Sequence, residues 1–328
     1  MTPEQILSSF GLSDIESVQS VGDGNISQTF SVETAAGRFI LQRIGAVIPD
    51  VAIQDMAVVT DVLAAQELRV PALLRTASGD LFARDDEGAR WRVYPWIPGR
   101  VVNALPDAGM AKEAGRMVGV LHRAFAEMHY QPQGSIPHFH DTAFIVDELR
   151  SVEARLPTEA LRRVAQDIIA TLPALLLDDA SAGEPRMLIH ADLKISNIVF
   201  DAVGAAVGVI DFDTLLWHYR AIDLGDAFRS WCNRTAEDDV NATFDVSFFN
   251  AAEEGYAAGW GKPVIAKERA VHLRATKQIT LELAARFLID VVRDSYFGFD
   301  ATRYPDRRSH NIARALGQYH LAGTIPAE

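Results

Sequence analysis

The feature that most constrains the fold is a change of hydrophobic periodicity near residue 96. Before that point, short runs alternate apolar and polar residues and end at turn residues, a pattern typical of β-strands. After YPWIPG, Tyr94–Gly99, long segments repeat their apolar residues at helical spacing. The pattern predicts an α+β chain with a β-rich N-terminal domain, residues 1–95, and a mainly helical C-terminal domain, residues 96–328.

The periodicity also predicts the individual elements. Predicted strands are Ile15–Val21, Gln28–Glu33, Arg38–Gln42, Leu73–Thr76, Leu81–Arg84 and Arg90–Trp96. One helix, Val51–Leu68, interrupts them, since it lacks Gly and Pro and ends before Pro71. The later predicted helices are Asp107–Met128, Thr142–Ala154, Thr158–Leu177, Val246–Gly259, Ala266–Val292 and His310–Leu321. Short strands MLIH, NIVF and VGVID lie among these helices.

Composition excludes several classes of protein. The 328 residues carry a net charge of −13, which argues against non-specific nucleic-acid binding. The single cysteine, Cys232, cannot form an intramolecular disulfide and fits a reducing compartment. The start, MTPEQILSSF, lacks the features of a signal peptide, and the apolar segments are too short or too interrupted to span a bilayer. We therefore expect a cytoplasmic protein without nucleic-acid or membrane partners.

The stretch LIHADLKISNIVF, Leu188–Phe200, places charged residues between apolar strands, and VIDFDT follows at Val209. His190, Asp192, Asn197 and Asp211 are its polar landmarks. An Asp on a loop can accept the proton of an attacking hydroxyl, and Asn and Asp oxygens suit Mg²⁺. A plainer interpretation is a capped turn and a solvated strand end. Ionisable groups that end adjacent apolar strands favour the functional interpretation.

The order and spacing are those of a kinase catalytic loop, H-R-D-L-x-x-x-N followed by D-F-G. Here HADLKISN and IDF carry Ala191 in place of Arg and Asp213 in place of Gly. With these replacements the chain resembles the aminoglycoside phosphotransferase and choline kinase group, and within it the N-acetylhexosamine kinases. The resembling segments include GDGNISQTF, FILQRI, RWRVYPWI, SIPHFHDT, IHADLKISNIVFD, VIDFDT, DLGDAFR and LELAARFLIDVV.

The resemblance implies a protein-kinase-like two-lobe fold, with an antiparallel sheet and one helix in the N-terminal lobe, that uses ATP and Mg²⁺. It implies that Asp192 is the catalytic base and that Lys194 lies near the γ-phosphate. Asn197 and Asp211 would be magnesium ligands. Asp213 would either touch a second metal or brace the loop.

The resemblance also implies a nucleotide site. Its phosphate loop would be Gly22, Asp23 and Gly24, although a glycine-rich hairpin turn is the plainer interpretation. Its adenine hinge would be Tyr94, Pro95, Trp96 and Ile97, which would also serve as a linker stiffened by proline. Kinases place a Lys on the third strand, whereas this chain has Gln42 and Arg43 there. Strand alternation lets only one of the two face the nucleotide, and only Arg would supply charge.

The substrate side follows from the same resemblance. Asn25, Asp192, Arg286 and Tyr296 would contact an N-acetylhexosamine, N-acetylglucosamine or N-acetylgalactosamine, that is phosphorylated at its anomeric position. Alternatively, Arg286 would pair with Asp290 at i, i+4 spacing. The hexosamine kinases tend to carry His where this chain has Asn25, which leaves the sugar open.

We therefore expect a small-molecule kinase, monomeric or homodimeric, with a sugar acceptor. The rivals are kinases of another amino sugar, an aminoglycoside, or a choline-like or homoserine-like alcohol. A different rival is a catalytically silent, kinase-like nucleotide-binding module, which the missing third-strand Lys suggests.

Two further motifs have structural interpretations. The segment DLGDAFR is expected to tie a helix to the catalytic loop, with Asp226 and Arg229 forming an internal ion pair. His138 and His140 form an H-x-H pair, which is usual in a turn and less often part of a metal site.

Overall fold

The computed structural model describes residues 2–21 and 28–327. The chain divides into two compact units. The first, which we call the sheet unit, comprises Met1–Pro98, Pro132–Ile136 and Gly208–Leu215. The second, the helical unit, comprises Gly99–Gln131, Pro137–Val207 and Leu216–Glu328. The loop with Asp211 thus clusters with the strands of the sheet unit, although it follows the catalytic loop in sequence.

The sheet unit is built on a five-stranded antiparallel sheet. Its strands are β1 (Ile15–Ser20), β2 (Gln28–Thr34), β3 (Gly37–Arg43), β4 (Ala83–Arg84) and β5 (Arg90–Pro95), in the order β1-β2-β3-β5-β4. Its helices are α1 (Pro3–Ser9) and α2 (Asp50–Ala65). Alternation buries Val32, Leu41 and Val93 in one cluster with Ile6 and Leu7 of α1. Residues between these positions, such as Gln42 and Arg92, point to the opposite face of the sheet.

Three details of this unit differ from prediction. Leu73–Thr76 is not a strand, because Leu74 donates a single hydrogen bond to Val93 and the ladder does not continue. The predicted strand Leu81–Arg84 shortens to β4. Helix α1 was not predicted, although its start carries a readable signal, since Thr2 and Gln5 form a capping box around Pro3.

The helical unit contains eight of the described helices and several short strands. The helices are α3 (Ala108–Met128), α4 (Thr142–Val152), α5 (Glu159–Leu175), α6 (Asp179–Ala182), α7 (Arg220–Trp231), α8 (Val246–Trp260), α9 (Ala266–Arg293) and α10 (Arg307–Thr324). Strands β6 (Met187–Ile189) and β9 (Leu216–His218) pair antiparallel, and β7 (Ile198–Phe200) pairs with β8 (Ala206–Val209), whose last two residues are counted in the sheet unit. The predicted helices all occur, whereas α6 and β9 were not predicted. The predicted α+β class is confirmed.

Helices α3 and α8 pack with their backbones in close contact. A Cβ atom on Gly115 would lie 2.0 Å from the carbonyl oxygen of Ala252, and one on Gly255 would lie 1.8 Å from that of Lys112. Any larger residue at these positions would push the helices apart, so the glycines fix their spacing. Within residues 2–21 and 28–327, no helix combines the length and the apolar character needed to cross a bilayer.

Candidate active site

The catalytic loop begins where β6 ends, and it is held by one carboxylate of α7. Asp223 is fully buried and accepts the backbone N–H groups of His190, at 2.8 Å, and Ala191, at 2.6 Å. It also contacts Nε2 of His122 at 3.0 Å. Ala191 has a left-handed backbone (φ 67°), which is strained for a residue with a Cβ. The buried carboxylate therefore fixes the turn that presents Asp192.

Other contacts fix the two sides of this loop. The backbone N–H of Ile195 donates to Ser230 Oγ at 2.9 Å, and Trp231 Nε1 donates to the carbonyl of Leu193 at 2.8 Å. The ion pair predicted between Asp226 and Arg229 is present, at 2.6 Å. Helix α7 thus anchors the loop at several points, as the DLGDAFR motif led us to expect.

Asp192 lies at the centre of a small polar cluster. Lys194 Nζ donates to its Oδ2 at 2.6 Å, and Asn197 Nδ2 donates to the backbone oxygen of Asp192 at 2.8 Å and to Oδ2 at 3.1 Å. Burial would raise the pKa of Asp192, but the charge and hydrogen bond of Lys194 outweigh burial, so the pKa lies below its ordinary value. Asp192 is therefore ionised at neutral pH and able to accept a proton.

The donor set of this cluster suits a hard cation. Asn197 makes these hydrogen bonds with its amide nitrogen, so they do not consume its amide oxygen, the atom that Mg²⁺ would bind. Asn197 is buried, and the turn Ile195–Asn197 before β7 holds it in place. Asn197 thus fits the predicted role of a metal ligand.

A buried His–Glu pair braces the loop from another side. His140 Nδ1 lies 2.8 Å from Glu282 Oε1, and its Nε2 lies 2.8 Å from the carbonyl oxygen of Ala191. Because both neighbours are acceptors, both ring nitrogens must carry protons. Burial opposes the charge, but Glu282 more than compensates and raises the pKa of His140. The partner of His140 in the H-x-H pair, His138, stacks on Phe144 with ring centroids 3.6 Å apart.

The predicted substrate residues Arg286 and Tyr296 come together at the end of α9. Arg286 Nη2 donates to Tyr296 Oη at 3.3 Å, and its guanidinium lies 5.0 Å from the ring centre of Phe139. The alternative pairing of Arg286 with Asp290 is wrong. Asp290 instead accepts the backbone N–H groups of residues 295–297 and a side-chain N–H of Asn311.

The sheet unit carries the predicted adenine hinge, Tyr94–Ile97, at the end of β5. Trp96 donates its backbone N–H to Arg38, whose guanidinium stacks 3.8 Å from the Trp96 ring centre. Strand β8 runs close beside the hinge, since a Cβ on Gly208 would lie 3.1 Å from Cγ2 of Ile97 and 2.7 Å from the backbone oxygen of Arg69. The hinge is thus packed against the strand that leads to Asp211.

Gln42 and Arg43 point to opposite faces of β3. Arg43 reaches Glu87 at 3.5 Å and stays partly exposed. Gln42 lies on the buried side, where its Oε1 accepts Nε and Nη2 of Arg92 at 2.8 and 2.6 Å. Arg92 in turn binds both carboxylate oxygens of Asp213, at 2.5 and 2.6 Å.

Asp211 ends the segment after β8 with a left-handed backbone, φ 70° and ψ 60°. The turn Phe212–Thr214 follows it and is buried. Asp211 is a carboxylate on a backbone conformation that local structure must enforce, which fits a residue held for binding. The predicted residues Gly22, Asp23, Gly24 and Asn25 lie outside the described residues.

Sequence analysis missed Arg92 and Glu282 as parts of this site. In the sequence, Arg92 is an ordinary polar residue of an alternating strand, and Glu282 is an ordinary charged residue of a long helix. Asp223 was recognised only through the DLGDAFR motif. Their partners are distant in sequence, so no local pattern points to them.

Comparison with known proteins decides the family. A model of the phosphotransferase enzyme family matches residues 17–263, most of the chain. The chain belongs to this family. This phosphotransferase is similar to homoserine kinase from Pseudomonas aeruginosa, with 28% identity over 240 residues, 71% of this chain and 71% of that protein.

Solved structures agree with the phosphotransferase fold. An aminoglycoside phosphotransferase from Alicyclobacillus acidocaldarius has a TM-score of 0.62 at 16% identity, covering 99% of this chain and 95% of its own. Amicoumacin kinase with AMP-PNP, Ca²⁺ and amicoumacin has a TM-score of 0.65 at 15% identity, covering 100% and 96%. A microcompartment-associated aminopropanol kinase has a TM-score of 0.65 at 16% identity, covering 98% and 95%. The protein-kinase-like fold of this phosphotransferase is confirmed.

Proposed function

We propose that this phosphotransferase is a cytoplasmic, ATP- and Mg²⁺-dependent kinase that phosphorylates the hydroxyl group of a small amino-acid alcohol of the homoserine type. The observation that carries the proposal is an ionised Asp192 in the same unit as Arg286, a cation at which an acceptor carboxylate would bind. An acceptor with a hydroxyl at one end and a carboxylate at the other would use both groups.

Asp192 is suited to receive the hydroxyl proton. Its carboxylate is ionised, and Lys194 and Asn197 hold its Oδ2, so its orientation is fixed before a substrate arrives. Oδ1 has neither of these donors and is the atom at which we place the acceptor hydroxyl. The ammonium group of Lys194 would offset the negative charge of the phosphoryl group during its transfer.

The residues proposed for the nucleotide and the metal are those that the kinase resemblance implies. When bound, ATP supplies the γ-phosphoryl group and Mg²⁺ neutralises its charge. Asp211 and Asn197 would hold the metal through their side-chain oxygens, and Tyr94–Ile97 would hold the adenine through main-chain groups. Gly22–Gly24 would cover the phosphates.

Arg286 supports an anionic acceptor. Arg286 contacts the Tyr296 hydroxyl and three aromatic rings, Phe139, Tyr296 and Phe297, and its charge also interacts with the Glu282 carboxylate. Glu282, one turn earlier on α9, has its carboxylate bonded to His140 and Thr142. Because the hydrogen bonds of Glu282 go to His140 and Thr142, Arg286 is a suitable site for a substrate carboxylate, which it would bind through two parallel hydrogen bonds.

The position of Arg286 relative to Asp192 also supports this assignment. Arg286 stacks on Phe139, the next residue is His140, and His140 binds the carbonyl of Ala191 beside Asp192. A polycationic aminoglycoside would be repelled by Arg286 and Lys194. The similarity to proteins named homoserine kinase and aminopropanol kinase favours a small amino alcohol over a large antibiotic.

A second candidate is the N-acetylhexosamine predicted from sequence, phosphorylated at its anomeric hydroxyl. The hydrogen bond between Arg286 and Tyr296 favours it, because the resemblance to hexosamine kinases implied that both contact the sugar. Uncharged sugar hydroxyls would accept from Arg286 more weakly than a carboxylate would.

The test is ADP release with homoserine, N-acetylglucosamine, N-acetylgalactosamine, choline and kanamycin, with phosphorus NMR of each product. We expect phosphohomoserine, and Arg286→Met should raise the KM for homoserine roughly 10- to 100-fold. Arg293→Met, at the exposed end of the same helix, is the matched control and should leave the KM unchanged. Turnover of the sugars alone would replace the first candidate by the second.

Asp192→Asn separates an enzyme from a silent nucleotide-binding module. The variant should bind ATP as the wild type does and lose most turnover, roughly 10³-fold or more, because the proton acceptor is gone. If the wild type binds ATP but phosphorylates no acceptor, the silent module becomes the better account.

A further inference from the structure

We propose that Arg92 is a positioning residue that, together with Gln42, takes the place of the third-strand lysine, and that Asp213 is its anchor rather than a metal ligand. The inference rests on the proposed kinase function for its meaning. Arg92 has no assigned role, and the role of Asp213 was open between a second metal and a brace.

The contacts form a closed network inside the sheet unit. Gln42 lies directly opposite Arg92 in the β3–β5 register. The Gln42 amide donates from Nε2 to Thr29 Oγ1 at 3.2 Å, so its Oε1 is oriented toward the guanidinium. The guanidinium then reaches both oxygens of Asp213. The guanidinium is thus held from two sides, by Gln42 and by Asp213, and its Nη1 also contacts Met56 Sδ at 3.0 Å.

Because the Arg92–Asp213 ion pair is buried, losing either partner would be strongly destabilising. Arg92 is 1% exposed and Asp213 is 5% exposed. Burial opposes the charge of Arg92, but Asp213 reverses the effect and raises the pKa of the guanidinium. Removing either charge would leave the other buried without a partner, which proteins seldom tolerate.

The geometry gives Asp213 a different role from Asp211. Both oxygens of Asp213 already accept charged hydrogen bonds, so a metal ion would have to displace a bidentate guanidinium. Asp211 lies two residues earlier on the same tight turn. Holding Asp213 therefore fixes the direction of Asp211 relative to the sheet, which is how Arg92 acts through another residue.

The network also explains how the chain does without the third-strand lysine. Gln42 occupies the position of β3 that faces the buried side and carries no charge. The positive charge is supplied by Arg92, the residue that pairs with Gln42 on β5. Helix α2 does not need to supply the acid for this cation. Its Asp55 accepts the backbone N–H groups of Gln133 and Gly134, at 2.7 to 3.1 Å.

The experiment compares Arg92→Lys with Arg90→Lys in the full chain. Lys keeps the charge but cannot bridge both Asp213 oxygens and Gln42. Arg90, on the same strand, instead binds Asp50 and the carbonyls of Gly45 and Ile48. The readouts are the thermal midpoint, AMP-PNP binding by calorimetry with and without MgCl₂, and kcat with the KM for each substrate.

We expect Arg92→Lys to weaken AMP-PNP binding at least 10-fold in the presence of MgCl₂ and little in its absence. It should lower kcat at least 30-fold with the acceptor KM unchanged. Arg90→Lys should lower the thermal midpoint about as much as Arg92→Lys does. It should leave AMP-PNP binding and kcat at their wild-type values. Asp213→Asn should reproduce Arg92→Lys, and the double variant should add little to either single change.

Two results would overturn the assignment. One is an Mg²⁺ dependence of binding that Arg92→Lys leaves intact while Asp213→Asn abolishes it, as expected of a metal ligand. The other is additive effects of the two changes. If Arg92→Lys does not fold, Gln42→Leu, which removes the other acceptor of the guanidinium, takes its place in the comparison with Asp213→Asn. AMP-PNP binding needs no acceptor, so failure of the proposed substrate leaves this outcome readable.

Discussion

The buried pair of His140 and Glu282 gives a prediction whose size and pH dependence follow from geometry. Glu282→Gln keeps the shape of the side chain and removes its charge. His140 would then hold its two protons without a counter-ion, while its Nε2 still has to donate to the carbonyl of Ala191. The variant therefore weakens the brace on the turn that presents Asp192.

The pH dependence has a definite sign. The pKa of His140 is raised, so its contribution to stability is complete below the ordinary histidine value of 6.5 and is lost as the pH rises through the raised pKa. Burial would raise the pKa of Glu282, but His140 lowers it, so its contribution is complete above 4.5 and is lost at lower pH. The pair thus contributes fully between pH 4.5 and pH 6.5.

The magnitude follows from the loss of one partner of a buried ion pair, which is 3 to 5 kcal/mol when the remaining charge persists. His140 can release its proton, so we expect about 3 kcal/mol near pH 6. The difference shrinks as the pH rises through the raised pKa of His140, to about 1 kcal/mol where both forms are neutral. These values correspond to a midpoint lower by roughly 6–12 °C near pH 6 and by roughly 2–4 °C at the high-pH limit.

The assay is scanning calorimetry at both pH values, together with kcat at saturating substrates. We expect kcat to fall roughly 10- to 100-fold, because even a small displacement of the proposed base Asp192 from the acceptor hydroxyl slows the reaction strongly. Glu253→Gln is the matched control, since Glu253 on α8 forms a buried pair with His272 on α9 at 2.8 Å and its other ion pair, with Arg269, also lies on α9. Equal midpoint losses at both pH values, or an equal loss of kcat in the control, would refute the reasoning.

Three further predictions follow from single contacts. Asp223→Ala leaves two buried backbone N–H groups without an acceptor and should lower the free energy of unfolding by about 2–5 kcal/mol in urea, and a loss below about 1 kcal/mol would contradict this. Lys194→Met removes the charge that lowers the pKa of Asp192, so the acid limb of the kcat/KM profile should move to higher pH; an unmoved limb would show that Lys194 does not set this pKa. Gly255→Ala places a Cβ against the backbone oxygen of Lys112 and should cost about 1–3 kcal/mol in thermal unfolding, unless α3 and α8 separate freely.

The cluster of Asp192, Lys194 and Asn197 could be predicted because its residues are close together in the sequence. Asp192, Lys194 and Asn197 lie within six residues and are brought together by one turn and one short strand. Arg286 and Tyr296 are also close, joined by the end of α9. Strand alternation predicted that the side chains of Gln42 and Arg43 point to opposite faces of the sheet. It could not predict which residues they contact.

The sequence by itself determined the α+β class, most helices and strands, and the residues of the candidate catalytic loop, because periodicity and short spacings encode them directly. Tertiary structure alone decided which buried charges meet. Arg92 and Asp213 are 121 residues apart, and His140 and Glu282 are 142 apart. Hydrogen bonds between buried groups depend on how sheets and helices pack, and that packing sums many weak contacts that no short pattern records.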